Sequence, residues 1–219
     1  MPPQPTSTRE RLLDVAEELF AEKGIAATSL RLLTKTADAN LAAVHYHFGS
    51  KDGLVDAVFE RRAAAMNRAR LADLAALEAA AGPEAPTVEA ILAAFVMPGT
   101  HGLAALRDGR ALLVRLRGRI EAEPPEVVEA LVRKHFGDVC ARFLEALQRA
   151  LPHVGKQLVA ERFRFCLAAL SSALSDTFDL DTIPGHPPAH GEDGRVERLI
   201  DFLAAGLRAE DPAQRTAPS

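Results

Sequence analysis

Leu12, Leu13, Ala16, Leu19 and Phe20 recur at helical spacing, and Glu10, Glu17, Glu18 and Glu22 fall mostly outside that stripe. The pattern predicts an amphipathic helix from about Ser7 to Lys23, capped by Thr6 or Ser7 and stopped by Gly24. Thr28 and Ser29 then precede a short helix carrying Leu30, Leu32 and Leu33, and Ala37-Asp38-Ala39 is the next break. Asn40 caps a third helix, Leu41 to His47, with Val44 and Phe48 facing inward. Gly49 ends it, and Ser50 caps a long fourth helix that starts at Lys51 and carries Leu54, Val55, Val58 and Phe59. Three helices of about 17, 8 and 7 residues, the last two joined by a tight turn, make a helix-turn-helix.

Beyond residue 60 the pattern stays helical, with longer elements. Gly82 to Pro86 is a loop, and Thr87 caps a helix through Phe95 and Met97 that Pro98-Gly99 is expected to break. A helical segment from about Arg110 to Ala122 follows. Pro124-Pro125 open a helix to Leu151, since proline suits a first helical turn, and Pro152 closes it. Another helix spans about Lys156 to Phe178, Asp181 to Gly194 is a loop, and a last helix runs from Glu192 or Arg195 to Arg208 before a polar tail. There is no internal repeat and no run resembling a strand ladder. The expected fold class is all-α, with a three-helix helix-turn-helix domain over residues 1–53 and a larger helical domain over residues 54–219.

Composition narrows the chemistry. The 219 residues are 48% hydrophobic and 26% charged with no tryptophan, which reads as a globular helical protein with room for a sizeable core. Two cysteines, Cys140 and Cys166, make neither a disulfide framework nor a zinc cluster and are expected to be buried thiols. No apolar run approaches the ~18 residues of a membrane span. The first ten residues lack the apolar core of a signal peptide, so a cytoplasmic location without membrane partners is expected. A net charge of -4 excludes nucleic-acid binding by bulk charge; any such binding must use a small local surface. An enzyme built on His101, His135 or His153 has no glycine-rich, nucleophile or metal signature to support it, so no catalytic residue and no cofactor are assigned. His45-x-His47 lacks a third ligand nearby, so no metal site is assigned either.

The first helix ending in Phe20-x-x-x-Gly24, then Thr28-Ser29-Leu30-Arg31, then Tyr46-His47-Phe48-x-Ser50-Lys51, resembles the DNA-binding core of the TetR family of repressors. The resemblance covers about a quarter of the chain. The string Asn40-Leu-Ala-Ala-Val-x-Tyr-His-Phe-Gly-Ser-Lys51 and the closing Phe202-Leu-Ala-Ala-Gly-Leu-Arg-Ala209 are similar to a branch whose members respond to fatty acids, the PsrA-type repressors. The resemblance implies a cytoplasmic, dimeric, ligand-responsive regulator of transcription, with a regulator of another pathway or an activator as the nearest alternative.

On that reading Ala42 and Ala43 let the third helix approach the floor of the major groove, and Asn40 hydrogen-bonds a phosphate or an adenine edge. Leu41 stands where the family usually has a polar or basic residue; it either meets a thymine methyl group or packs in the small core. Tyr46, His47 and Lys51 match positions that grip the phosphate backbone. Thr28 and Ser29 repeat a helix-start arrangement for anions, and Arg31 reaches a phosphate or a guanine edge. Asp38 replaces the usual glycine of the turn, tolerable because Asp accepts positive φ, and His45 replaces the usual tyrosine, which puts its phosphate contact in question.

The family pairs through two C-terminal helices, here 156–178 and 195–208. Phe163, Leu167, Leu170 and Leu174 on the first, with Leu199 and Leu203 on the second, are the expected dimer stripe, although a subunit core explains such a stripe equally well. Paired reading heads must fall about 34–36 Å apart or a multiple, so operator DNA should be palindromic. The pocket of such proteins lies among the middle helices. Met66, Phe95, Met97, Leu103, Leu106, Leu112, Leu113 and Leu116 are its expected apolar lining, and Arg115 and Arg119, with Arg117 nearby, are either head-group ligands or surface charges. A fatty acid or acyl-coenzyme A inducer suits that lining better than a cationic drug, which needs aromatic faces in a chain with one tyrosine. Such an inducer acts by preferring a state in which the fourth helix has swung.

Overall fold

The computed structural model describes residues 7–104, 124–175 and 194–211. Among the described residues the regular elements are all helices: α1 (Thr8–Lys23), α2 (Leu30–Thr36), α3 (Leu41–Phe48), α4 (Lys51–Ala81), α5 (Val88–Ala104), α6 (Pro125–Ala150), α7 (Lys156–Ser175) and α8 (Arg195–Arg208). They belong to two compact units, residues 1–65 with 103–137, and residues 66–102 with 138–219. Among the described residues no helix is long and apolar enough to cross a membrane.

In the first unit the helix starts are set by side chains a few residues away. Ser7 Oγ accepts from Glu10 N at 3.1 Å, Ser29 Oγ from Leu32 N at 3.2 Å, Asn40 Oδ1 from Ala43 N at 2.8 Å, and Ser50 Oγ from Gly53 N at 3.0 Å. Each cap is worth about 1 kcal/mol. The stops are equally local: Gly24 (φ 88°) and Gly49 (φ 75°) take the left-handed backbone that ends α1 and α3. α1 packs on both α2 and α3, and α2 packs on α3. Their shared core joins Leu12, Leu13, Ala16 and Phe20 of α1 to Leu33, Val44, Leu54 and Val58, with Leu131 of α6 packed against it.

Two ionic ties hold the first part of α4. Arg61 reaches Asp14 at 2.7 Å and Glu17 at 2.6 Å on α1. Burial opposes the guanidinium charge, but those two hydrogen bonds outweigh it, and the group is more firmly protonated than a free arginine. On the other side of α4, Asp56 receives Lys134 at 2.5 Å and lies 2.9 Å from His135 Nε2, while His135 Nδ1 lies 3.1 Å from Glu60. The His135 ring is buried and stacks on Phe59 at 5.9 Å. Burial pushes the Asp56 carboxyl up, and the bonds from Lys134 and His135 more than reverse this, so its pKa lies below the ordinary 3.8.

In the second unit the core is aromatic at its centre. Phe95 of α5 meets Phe143 of α6 edge-on at 5.0 Å and Phe163 of α7 at 5.8 Å. The Arg70 guanidinium sits 4.0 Å from the Phe95 ring centre and donates to the Phe95 carbonyl at 2.7 Å. α8 packs on α7, and the buried Arg162 of α7 donates to Leu207 O at 2.9 Å and Glu210 O at 3.2 Å. A cation on the last carbonyls of a helix is favourable with respect to its dipole. Cys166 is buried and Cys140 half-buried; burial pushes the Cys166 thiol up to about 11, so it stays protonated at neutral pH.

The expected break at Pro98-Gly99 is corrected: α5 runs through Pro98 to Ala104. Proline fixes φ near −65°, a helical value, so the helix continues at the cost of the hydrogen bond that residue 98 has no N–H to make. Ile91, Leu92, Ala94, Phe95 and Val96 are buried just before it, and their packing holds the segment helical.

Candidate nucleic-acid interface

α3 is held by very little of its own surface. Of its eight residues Val44 is the one that is buried; Leu41 is 48% exposed and Tyr46 85% exposed, with Ala42 and His45 also exposed. Residues 41, 42, 45 and 46 lie on one side of a helix, four apart in pairs. That face reads apolar at its N-terminal end and polar one turn later. Core packing therefore excludes the reading of Leu41 as a core residue, because Val44 and the half-buried Phe48 fill that place.

Beside this face an open groove is lined by Thr8, Arg11, Asp38, Ala39, Asn40, Ala43 and His47, along with Ala42 and Tyr46. Arg11 braces it, with Nε 3.5 Å from Ala37 O and Nη2 3.4 Å from Thr8 Oγ1. Neither Thr8 nor Arg11 is a residue that sequence reasoning singled out, since a side chain on α1 reaches the α2–α3 turn only through the fold. Asp38 turns the chain there with φ 46°, the one non-glycine residue with positive φ among the described residues. The tip of the groove is polar at the exposed Asn40, whose Oδ1 is occupied by its cap.

The remaining residues of this surface separate by burial. Ser29 and Arg31 are exposed on α2. Thr28 is a correction: it is fully buried, and its hydroxyl donates to Gly24 O at 2.8 Å, so it closes the α1–α2 loop and has no surface for a phosphate. His45 Nδ1 donates to Gly49 O at 2.9 Å, so this ring nitrogen is engaged within the turn that follows α3. His47 is half-buried, with Tyr46 against it edge-on at 4.9 Å. Lys51 is half-buried and its Nζ lies 3.4 Å from Ala26 O, which joins the start of α4 to the α1–α2 loop. Gly53 belongs to the same junction: a Cβ there would stand 2.0 Å from the Phe48 carbonyl oxygen, so only glycine fits.

The residues expected to line a pocket are mostly beyond view. Met66 and Met97 are half-buried and Phe95 is buried in the aromatic centre. Leu106, Leu112, Leu113, Arg115, Leu116, Arg117 and Arg119 lie outside the described residues, as does the side chain of Leu103.

The expected dimer stripe is corrected at Phe163, Leu170 and Leu203. Phe163 (4% exposed), Leu170 and Leu203 are buried inside their own unit, Leu167 and Leu199 are half-buried, and the side chain of Leu174 lies outside the described residues. The large side chains that α7 and α8 turn to solvent are instead Phe165, 60% exposed, and Phe202, 69% exposed. Exposed Ala168 and Ser172 flank the first, and exposed Ala205 and Gly206 the second. Periodicity found the stronger apolar stripe, and the stronger stripe is the one a subunit needs for its own core. Among the described residues there is no group of three or more His, Cys, Asp or Glu that could hold a metal ion.

Residues 12–58 match the family model described as bacterial regulatory proteins, tetR family, and residues 93–206 match the one described as tetracyclin repressor-like, C-terminal domain. Among curated proteins the chain is similar to a probable HTH-type transcriptional regulator, YttP, of Bacillus subtilis (40% identical over 50 residues, 23% of this chain and 24% of that protein). It is also similar to the HTH-type transcriptional repressor KstR2 of Mycolicibacterium smegmatis (37% over 57 residues, 26% of this chain and 28% of that protein). The matched stretch thus spans about a quarter of the length of these relatives. Among solved structures, the fatty acid degradation regulator FadR from Bacillus halodurans has a TM-score of 0.64 at 14% identity, covering 95% of this chain and 100% of its own. Salmonella enterica GusR has a TM-score of 0.58 at 21% identity, covering 95% and 99%. At such identities these two likenesses are of fold.

Proposed function

Since the chain belongs to the tetR family of bacterial regulatory proteins, we propose that it is a repressor that binds a palindromic operator as a homodimer and is released by a small apolar inducer. The observation that carries the DNA-binding half is α3: an eight-residue helix that buries Val44 and turns Leu41, Ala42, His45 and Tyr46 outward beside a groove. A helix so weakly engaged in its own core is supported by its caps and neighbours for the sake of its free face. Residues 1–53 are the reading domain and residues 54–219 the sensing and pairing domain. Ala42 and Ala43 admit the helix to the major groove, and Ser29, Arg31, Asn40, Tyr46, His47 and Lys51 hold the phosphates on either side. His45 has the weakest claim, since its Nδ1 is already committed to Gly49 O. Pairing uses the exposed Phe165 and Phe202, with Ala168, Ser172, Ala205 and Gly206 permitting close helix approach. The regulator acts in the cytoplasm, where its DNA is.

The test is to select binding sites from random duplex DNA with the purified protein and then to measure a Tyr46→Ala, Lys51→Gln double variant on the selected sequence. Loss of two charge-assisted or polar phosphate contacts, each worth ~1–3 kcal/mol, should weaken binding by about a hundredfold or more and flatten its salt dependence. Undiminished binding by a folded double variant overturns the reading.

For the inducer the reading is a fatty acid or acyl-coenzyme A thioester, as in the PsrA-type branch the chain resembles. Its support is the sequence alone: Leu112, Leu113 and Leu116 interleaved with Arg115 and Arg119, an apolar run carrying fixed cations suited to a carboxylate or phosphate head. An inducer must bind the free and DNA-bound states with different affinities, typically by about 1–3 kcal/mol. Titrating the operator complex with a chain-length series of acyl-coenzyme A thioesters should release DNA at one range of lengths. A series with no effect at any length rejects this inducer.

A further inference from the structure

We infer that Leu41 is a base-reading residue of α3 and that it reads the C5-methyl group of a thymine, so that each operator half-site carries a T·A pair facing it. The inference rests on the DNA-binding reading above and adds to it what the surface recognises. Leu41 is the first residue of α3 and is 48% exposed, although Val44 and Phe48 already supply the helix's inward face. Its neighbours Ala42 and Ala43 carry no polar side-chain atom, and the Asn40 side-chain Oδ1 is taken by Ala43 N at 2.8 Å. The leading turn of the helix therefore has, apart from the Asn40 amide, no side-chain group able to hydrogen-bond a base edge.

In a helix-turn-helix the N-terminal residues of the recognition helix are those that meet base edges. Tyr46 and His47 come five and six residues later, about 7–9 Å along the axis at 1.5 Å per residue, and so stand apart from the leading turn. An apolar tip has one apolar target there. The thymine C5-methyl is the single such group among the four base pairs; every other base presents a donor or an acceptor at that edge. Leucine against guanine, adenine or cytosine would strip water from a polar edge and return no hydrogen bond, so the same side chain attracts one base and penalises the others. Small Ala42 beside it keeps the backbone from holding Leu41 off the floor.

The experiment uses the full-length protein and the operator obtained by selection, with each thymine replaced in turn by deoxyuridine, which lacks only the methyl group. One thymine per half-site should cost the wild type about fourfold in affinity, the equivalent of about 0.8 kcal/mol for one buried methyl. Substituting both half-sites should cost roughly fifteenfold. Leu41→Ala, at an exposed position that leaves the fold intact by circular dichroism, should bind the thymine and uracil forms alike. Replacing that T·A pair by C·G should weaken wild-type binding, and 5-methylcytosine at the same place should restore part of it. Equal binding of thymine and uracil forms by the wild type overturns the inference and leaves DNA binding standing, and so does full discrimination retained by Leu41→Ala. Failure to select any DNA sequence overturns the DNA-binding reading itself.

Discussion

In α3 Val44 alone is buried and Tyr46 stands 85% exposed, whereas in α7 Val159, Arg162, Phe163, Cys166 and Leu170 are all buried and Phe165 is 60% exposed. The two helices differ in how many neighbours they serve. α3 leans on α1 and α2 with one short face, so whatever lies off that face is in water. α7 has the aromatic centre of its unit on one side, with Phe163 against Phe95, and a second apolar side chain on the opposite surface. A large residue on the short helix is exposed by default. On the long one the same kind of residue has two places to go, and only its neighbours decide.

The sharpest way to break this contrast is to remove the buried and the exposed phenylalanine of α7 in separate variants. Phe163→Ala should empty space beside Phe95 and lower unfolding stability by about 3–5 kcal/mol, read by urea denaturation. Phe165→Ser combined with Phe202→Ser should instead leave the subunit folded and shift a dimer to monomers in analytical ultracentrifugation. A folded monomer from Phe163→Ala, with Phe165→Ser/Phe202→Ser still dimeric, would reverse the assignment of the two faces.

In the reading head the largest single-residue effects should come from backbone rather than from burial. Gly53→Ala sets a Cβ against the Phe48 carbonyl oxygen, where no flexible side chain can give way, and should destabilise the α3–α4 junction by about 1–3 kcal/mol in thermal melts. Gly53→Ala melting no earlier than the wild type would show that the junction relaxes freely. Asp38→Val should cost somewhat less, ~1–2 kcal/mol, since a β-branched residue is forced into positive φ at 46°. Its effect belongs to the head and should be matched by loss of protection in amide exchange at α2 and α3.

The smallest effect concerns the second unit. The Arg208 guanidinium hydrogen-bonds Glu89 and holds its pKa at about 2, below the ordinary 4.5. A depressed carboxyl contributes stability that is present above the unfolded value and lost as pH falls toward the folded one, so this pair's contribution stands at neutral pH and is lost between about pH 4.5 and 2. Both side chains are about 40% exposed, so solvent screening leaves about a few tenths of a kcal/mol. Glu89→Gln should lower stability at neutral pH by that small amount and flatten the acid limb of the stability–pH curve between about pH 4.5 and 2, so that the two proteins converge at the acid end.

How much was legible beforehand follows the range of the forces involved. Ser7, Ser29, Asn40 and Ser50 each cap an amide three residues away, and Gly24 and Gly49 end helices by their own φ. Such features are read directly, and with them came α1 to α3, the tolerated Asp38 turn and the exposed face of α3. Misreadings arose where a local rule met a distant partner. Thr28 looks like a cap and is a buried loop closer; Pro98 looks like a breaker and is carried through by the packing of Phe95 and its neighbours. His135, weighed in sequence only as a catalytic candidate, lies between Asp56 and Glu60 from 75 residues or more away, a pairing no local pattern announces.

The amino-acid order alone determined that this chain is helical, where its short helices start and stop, and that one of them presents a small-faced tip, because capping, turn geometry and periodicity act within about one helical turn. Tertiary structure alone decided which apolar stripe is interior, which arginine is used inside the fold, and which phenylalanines are left facing water. Burial is a property of what surrounds a side chain, and those surroundings come from residues far along the chain.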